Sequence, residues 1–330
     1  MGYEKEKEVA IAAVRMAAKL CQQVRQENGS KTMHKADESP VTVADFGAQA
    51  VICSFLEREF ATDPIVGEES ASMLQKPENK DRLEQITTYV KNLLPHATSE
   101  DIIHWINRGN AGTIESVPSR YWTLDPIDGT KGFIRGDQYA IALALIEDGE
   151  VKVGILGCPA LPLNPTNPNS KKGVLFVAVK EEGTTQMSLD GTDFKLIQVN
   201  SISDRNRLRF IASVESSHSD QSQQKAIANS LGLTLPPIRM DSQAKYGSVA
   251  RGEADLYLRI PRPESASYRQ NIWDHAAGAI VVEEAGGKVT DLDGKPLDFS
   301  AGTKLNNNYG IVATNGIIHS DVLKIWAELS

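Results

Sequence analysis

The stretch "YWTLDPIDGTKGFIRG", Tyr121 to Gly136, runs from an aromatic, strand-like segment into two aspartates, a proline, a glycine and a threonine within six residues. A turn accounts for Pro126, Asp128 and Gly129. It does not account for Asp125, an acid placed directly after the apolar Leu124. The same arrangement, an acid at the end of an apolar run, recurs at Asp45 in "SPVTVADF", at Glu68 and Glu69 in "IVGEES", and at Asp274 in "IWDHAAG". Hard cations such as Mg²⁺ take oxygen ligands, usually a few carboxylates with waters and substrate phosphate. Acids at strand ends and helix starts, gathered by folding, would form such a site. Pro126 fixes the chain between the two aspartates, so the carbonyl of Ile127 could also turn inward. Gly129 and Thr130 could open a helix and offer backbone N–H groups to a phosphate.

Each acid also has a plainer reading. Thr42-x-x-Asp45 fits a capping box. Asp274 stands near a helix start, where a cap or dipole partner is common. The two glutamates could be a solvated pair beside a turn. Other acid-rich motifs do not fit. Haloacid-dehalogenase phosphatases carry Asp-x-Asp-Gly-Thr, whereas the spacing here is Asp-x-x-Asp-Gly-Thr, and one extra residue turns the first acid in another direction. A calcium-binding EF-hand loop fails because no carboxylate ladder continues to its twelfth position.

The rest of the chain sets these motifs in a large α/β-type protein. Its 330 residues suit one large domain or two of ordinary size, with enough length to bury a core without staples. The net charge of −8 opposes general nucleic-acid binding, which needs a basic surface. No apolar run reaches the ~20 residues that span a bilayer. The acidic start, "MGYEKEKEVA", is unlike a targeting peptide, so a cytoplasmic location is expected. The three cysteines, Cys21, Cys53 and Cys158, are scattered, which fits a reducing compartment and buried packing.

Val9, Ala13, Met16, Leu20 and Val24 mark one helical face, and Phe46, Ala50, Cys53, Leu56 and Phe60 a second. Leu83, Ile86, Val90 and Leu94 mark a third helix, followed by an expected polar loop up to Tyr121. "QYAIALALIEDGEVKVGILGC" reads as a hairpin turning at Asp148-Gly149. "GVLFVAV" and "KLIQV" continue the strands. Beyond residue 196 strands and helices alternate, with "RFIASVE", "ADLYLRIP" and "GIVAT" as strands. "SQQKAIANSLG", "IWDHAAGAIVVEEAGG" and "SDVLKIWAEL" read as helices. The division expected is an α+β part, 1–196, carrying most candidate metal ligands, and an α/β part, 197–330. On "ADLYLRIP", Arg259 alternates with Leu258 and Ile260, which predicts that it points to a polar face away from the core.

Taken together, "WTLDPIDGT" (122–130), "GEES" (67–70) and "WDHAAGAIVVEEAGG" (273–287) resemble the lithium-sensitive, Mg²⁺-dependent phosphatases of the inositol monophosphatase superfamily. "GTKGFIRGDQYA", "DSQAKYGSVARGEADLYLRIP" and "SVESSHS" are similar to its 3′(2′),5′-bisphosphate nucleotidase group, which includes the salt-tolerance phosphatases of yeast and plants. The likeness covers almost the whole chain; the stretch around 71–120 and the 161–172 loop differ. The resemblance implies a layered αβαβα sandwich with the site between its halves. It implies that Glu68, Asp125, the Ile127 carbonyl, Asp128 and Asp274 hold more than one Mg²⁺ ion. Asp45 and Thr130 would orient and deprotonate the attacking water. Thr130, His218, Ser242, Lys245 and Arg259 would bind the nucleotide. The implied substrates are adenosine 3′,5′-bisphosphate, its 2′,5′ isomer and 3′-phosphoadenylyl sulfate, handled by a monomer without nucleic-acid or membrane partners. Two alternatives stand beside this: an inositol phosphatase, and an inactive nucleotide or metal sensor. The sensor has no need of the Asp45–Thr130 pair.

Overall fold

The structure is a computed structural model and describes residues 2–27, 33–34, 40–110, 118–192, 194–215, 219–265 and 267–329. Elements are numbered in chain order. Helix α1 (Glu4–Gln26) precedes a two-stranded ribbon, β1 (Met33–His34) with β2 (Pro40–Val41), and leads to α2 (Val43–Glu59). Strand β3 (Ile65–Gly67) is followed by α3 (Lys80–Lys91), α4 (Ser99–Arg108), β4 (Arg120–Asp128) and α5 (Thr130–Arg135). Then come β5 (Ala140–Glu147), β6 (Glu150–Pro162), β7 (Lys172–Val179), β8 (Gly183–Ser188) and β9 (Phe194–Ile197). The last third contains β10 (Phe210–Ala212), α6 (Gln221–Ser230), β11 (Ile238–Arg239), α7 (Ala244–Ala250) and β12 (Leu256–Arg259). It ends with α8 (Ala276–Glu283), β13 (Lys288–Thr290), β14 (Ile311–Thr314) and α9 (His319–Leu329).

Strands β3 to β9 form a seven-stranded sheet in sequence order, antiparallel except for the parallel β3–β4 pair. The second sheet runs β11-β10-β12-β14-β13. It is mixed rather than all-parallel, because β14 pairs antiparallel with both β12 and β13.

Alternation along the strands builds three cores. One face of the large sheet, with Trp122, Leu124, Leu143 and Ile155, buries the apolar sides of α1 to α4. Its other face, with Tyr121, Ala142, Leu156 and Phe176, meets α7 and α8, which also cover Ile211, Tyr257 and Ala313 of the small sheet. The outer face of the small sheet, with Leu256, Leu258 and Val312, packs on α6 and α9. The fold is therefore an αβαβα sandwich. Full burial of each such aliphatic side chain contributes ~1.5–3 kcal/mol.

The hairpin expected at Asp148-Gly149 is present, with φ of 53° and 78°, the positive pair a type I′ turn requires. Cys21, Cys53 and Cys158 are buried and unpaired. Two elements differ from the sequence reading. The expected loop before Tyr121 contains α4, opened by a Thr98–Asp101 capping box and buried through Ile102 and Ile106. The helix expected over "IWDHAAGAIVVEEAGG" is interrupted. Ile272–Asp274 form a 3₁₀ turn, and His275 (φ −138°) leaves helical geometry before α8 begins. Asp274 thus sits ahead of the helix and not on it.

The middle layer lies so close to the large sheet that glycine is required. A Cβ on Gly154 of β6 would lie 2.3 Å from Ile280 Cγ2 and 3.1 Å from the Ala277 carbonyl, both on α8. Gly154→Ala is expected to lower the unfolding free energy by ~1–3 kcal/mol, the usual range for overpacking, in a urea titration. An unchanged midpoint would mean that α8 does not approach the sheet this closely.

Candidate active site

Proline cannot donate to a sheet ladder. At Pro126 the β4–β5 pairing duly slips: Asp125 still pairs with Ala142 and Asp128 with Ala140, and Pro126 and Ile127 fall out of register between them. The Asp125 Oδ1 accepts the Ile127 N–H at 3.1 Å, closing the turn. Parallel pairing aligns Gly67 with Leu124, and the Glu68 N–H donates to the Leu124 carbonyl at 3.1 Å. Glu68 is thereby set beside Asp125, whose carboxyl its charge raises further. Gly129 takes a left-handed φ of 85° and α5 opens at Thr130.

Thr130 Oγ1 lies 3.2 Å from Asp45 Oδ1 and 3.1 Å from the Ile127 carbonyl. Asp45 is fully buried at the start of α2. Its Oδ2 accepts the Thr42 N–H at 2.8 Å and the Thr42 hydroxyl at 2.6 Å, forming the capping box. The plain reading and the chemical reading of Asp45 therefore coexist in one carboxylate: one oxygen caps the helix, the other faces Thr130.

The second half supplies the opposite wall. Ser242 has a left-handed φ of 68°, and the following Gln243 N–H donates to Asp128 Oδ2 at 2.6 Å. On α7, Lys245 is buried, with its ammonium donating to the Ser242 carbonyl at 2.8 Å and lying 5.2 Å from the Tyr257 ring centre. Arg259 does not point to a solvated face. The face of β12 that alternates with Leu256 and Leu258 looks into the layer between the two sheets, where Tyr257 is buried. Arg259 follows Tyr257 on that face and lines the same cavity as the acids. A strand alternating between apolar and polar residues can thus have two buried faces when the polar one borders a site.

That cavity, about 440 Å³, is lined by Glu68, Asp125, Ile127, Asp128, Thr130, Ser242, Lys245, Arg259 and Asp274. Asp45 stands one hydrogen bond behind Thr130. His218 lies outside the described residues. Sequence reasoning missed other lining groups: Gln243, Tyr257 and Tyr268, and the charged Lys131, Glu215 and Asp241. Arg135 of α5 pairs with both Glu215 and Asp241, tying the segment after Thr130 to the second half. The lysine and arginine of "GTKGFIRGD" were a visible signal for such pairing, but their acidic partners are remote in sequence.

Burial dominates the electrostatics. It raises the Asp125 carboxyl well above its ordinary range, with Glu68, Asp128 and Asp274 adding repulsion. It raises Asp128 despite the opposing charges of Lys245 and Arg259. It pushes Asp274 up to about 7, again against Arg259. Burial also draws the Lys245 ammonium down to about 8, with Asp128 opposing. The donor set is all oxygen, and acids so desolvated are stabilised by a bound dication, so the residues fit Mg²⁺. Among the described residues, no three or more Asp, Glu, His or Cys converge closely enough to hold a metal as they stand. The acids line one cavity instead.

The sequence profile of the inositol monophosphatase family matches residues 3–328. The chain belongs to that family. A 3′(2′),5′-bisphosphate nucleotidase of Schizosaccharomyces pombe is 42% identical over 348 residues, spanning 100% of this chain and 97% of the relative. 3′(2′),5′-Bisphosphate nucleotidase 1 of Arabidopsis thaliana is 45% identical over 306 residues, spanning 87% of this chain and 85% of the relative. Among solved structures, the Thermotoga maritima IMPase superposes with a TM-score of 0.67 at 22% identity, covering 98% of both chains. Mycobacterium tuberculosis SuhB gives 0.62 at 18% identity, covering 100% of this chain and 98% of the other. Inositol monophosphatase family members are metal-dependent phosphatases acting on small phosphate esters.

A ligand that binds only the folded state at ~100 times its dissociation constant adds about 2.7 kcal/mol of stability. Millimolar MgCl₂ is therefore expected to raise the thermal midpoint above that in NaCl of equal ionic strength. Asp125→Asn and Asp274→Asn are expected to lose most of that rise. An equal rise in wild type and both variants would place the cation elsewhere.

Proposed function

We propose that this chain is a Mg²⁺-dependent, Li⁺-sensitive 3′(2′),5′-bisphosphate nucleotidase. It removes the 3′ or 2′ phosphate from adenosine 3′,5′-bisphosphate or its 2′,5′ isomer to leave AMP, and acts likewise on 3′-phosphoadenylyl sulfate. The observation that carries this reading is the division of one cavity into an acidic wall, with Glu68, Asp125, Asp128 and Asp274, and two cations, the buried Lys245 and the half-buried Arg259. A single phosphate needs only the first. A substrate with a second phosphate uses both. The identity to nucleotidases over the full chain supports the same reading.

Glu68, Asp125, the Ile127 carbonyl, Asp128 and Asp274 would hold more than one Mg²⁺ ion. Bound magnesium supplies Lewis acidity, lowering the pKa of water and neutralising charge on the phosphoryl group and leaving oxygen. Thr130 Oγ1 accepts the proton of an attacking water and passes its own to Asp45 Oδ1, at 3.2 Å. Oxygen–phosphorus bond formation by that water breaks the bond from phosphorus to the 3′ or 2′ oxygen, which takes a proton from solvent water as inorganic phosphate leaves. The Thr42 bonds to Oδ2 keep Oδ1 aimed at Thr130 throughout. Ser242, Lys245, Arg259 and His218 hold the nucleotide, and positioning of the remote phosphate keeps the reacting one in line. In this reading the site lies at the seam of parts 1–196 and 197–330, in a cytoplasmic monomer.

Asp45→Asn and Thr130→Ala are expected to lower kcat by ~10²–10⁴, the range for losing a proton-transfer partner, with KM little changed. Near-normal kcat in both would leave Asp45 as a helix cap alone. Millimolar LiCl is expected to inhibit the wild type; indifference to tens of millimolar would count against the proposed site.

Specificity is tested separately. Arg259→Ala and Lys245→Ala each remove charged hydrogen bonds worth ~1.5–3 kcal/mol, so kcat/KM for adenosine 3′,5′-bisphosphate should fall roughly tenfold or more. Both cations also neutralise Asp128, so the informative quantity is the ratio to inositol 1-phosphate, which has no second phosphate and cancels that shared loss. The ratio should drop; an unchanged ratio would remove these residues as readers of the nucleotide.

A further inference from the structure

Asp128 reaches the cavity from the end of β4, and Asp274 from the 3₁₀ turn ahead of α8, far along the chain. Both are partly buried and mutually repulsive, so the main chain that carries each has to be held in place by other bonds. One residue touches both supports. Gln243 is buried in the turn that opens α7. Its backbone N–H donates to Asp128 Oδ2 at 2.6 Å. Its side-chain Nε2 donates to the carbonyl of Trp273, the residue before Asp274, at 2.9 Å. Its Oε1 accepts the N–H of Gly278, in the first turn of α8, at 3.1 Å. The side chain therefore bolts both ends of the 273–278 bend, which carries Asp274 out of the helix at the non-helical His275. The main chain is aimed by the left-handed Ser242, whose Cβ would meet a Cβ on Gly129 at 3.0 Å.

We infer that Gln243 is a positioning residue that sets the spacing between Asp128 and Asp274 and so tunes the affinity of the site for its divalent cation. The inference rests on the reading of those two aspartates as magnesium ligands. It assigns Gln243 no contact with substrate. Supporting hydrogen bonds of this kind change metal affinity by ~10–100-fold when removed from established sites. The backbone bond to Asp128 survives any substitution, so side-chain variants isolate the bond pair to the 273–278 bend.

The test uses Gln243→Leu, which fills the volume without hydrogen bonds, and Gln243→Asn. The second keeps an amide but is one methylene too short to span Trp273 and Gly278, and it covers the case in which the leucine variant does not fold. Mg²⁺ binding to the whole chain is measured by calorimetric titration, alongside the Mg²⁺ concentration giving half-maximal phosphate release. The expected result is a ~10–100-fold weaker Mg²⁺ dissociation constant in both measurements, with KM for the nucleotide at saturating Mg²⁺ changed less than threefold. A purely structural role would lower the melting temperature in EDTA and leave the Mg²⁺ constant untouched, and that result overturns the inference. Wild type that binds no Mg²⁺ would overturn the metal-site reading beneath it, an outcome distinct from wild-type binding with unaffected variants.

Discussion

Four carboxylates from three segments are drawn to one cavity, and their mutual repulsion is the constraint around which the rest is arranged. Burial and repulsion together raise Asp125, Asp128 and Asp274 above their ordinary range. Nothing about such a cluster favours folding by itself. It persists because the backbone at each acid is fixed by other means. Pro126 breaks the ladder, the β3–β4 register fixes Glu68, and Gln243 ties the Asp274 bend to α7. The layered architecture allows this, since the seven-stranded sheet and the five-stranded sheet each contribute a strand end to the gap between them.

Lys245 and Arg259 belong to the same balance. Each sits where it opposes the charge of Asp128, and burial already draws Lys245 down to about 8. They offset the charge of Asp128 and are placed to meet a substrate phosphate, which makes their two roles inseparable by a single substitution. Comparison of two substrates separates them. Asp45 shows a similar economy, with one oxygen capping α2 and the other facing Thr130.

Much of this was legible in the sequence. The apolar periods of α1 and α2, the Asp148-Gly149 hairpin and the acids at element ends need only local rules, and the resemblance to a known family assigned the roles. What was not legible depends on long-range packing. The α4 capping box at Thr98–Asp101 was readable but lay in a polar stretch that looked like loop. The break at His275 is invisible in an alanine-rich run, because the bonds stabilising it come from Gln243, some thirty positions away. Alternation put Arg259 on a polar face but could not tell water from a polar cavity, so the border with the site came only from the structure. Asp241, Gln243 and Tyr257 lie inside the quoted "DSQAKYGSVARGEADLYLRIP" stretch and line the site, but nothing local told which of its residues face the cavity.

The account's central claim is that the acidic wall holds the phosphate to be cleaved while the cations hold the one that stays. The direct measurement is ³¹P NMR of the products formed from adenosine 3′,5′-bisphosphate by the purified chain, first with EDTA and then with excess MgCl₂. The account predicts no reaction in EDTA, and conversion to inorganic phosphate and 5′-AMP once Mg²⁺ is supplied. Release of the 5′ phosphate to leave adenosine 3′-monophosphate, or equal turnover in EDTA, would contradict it.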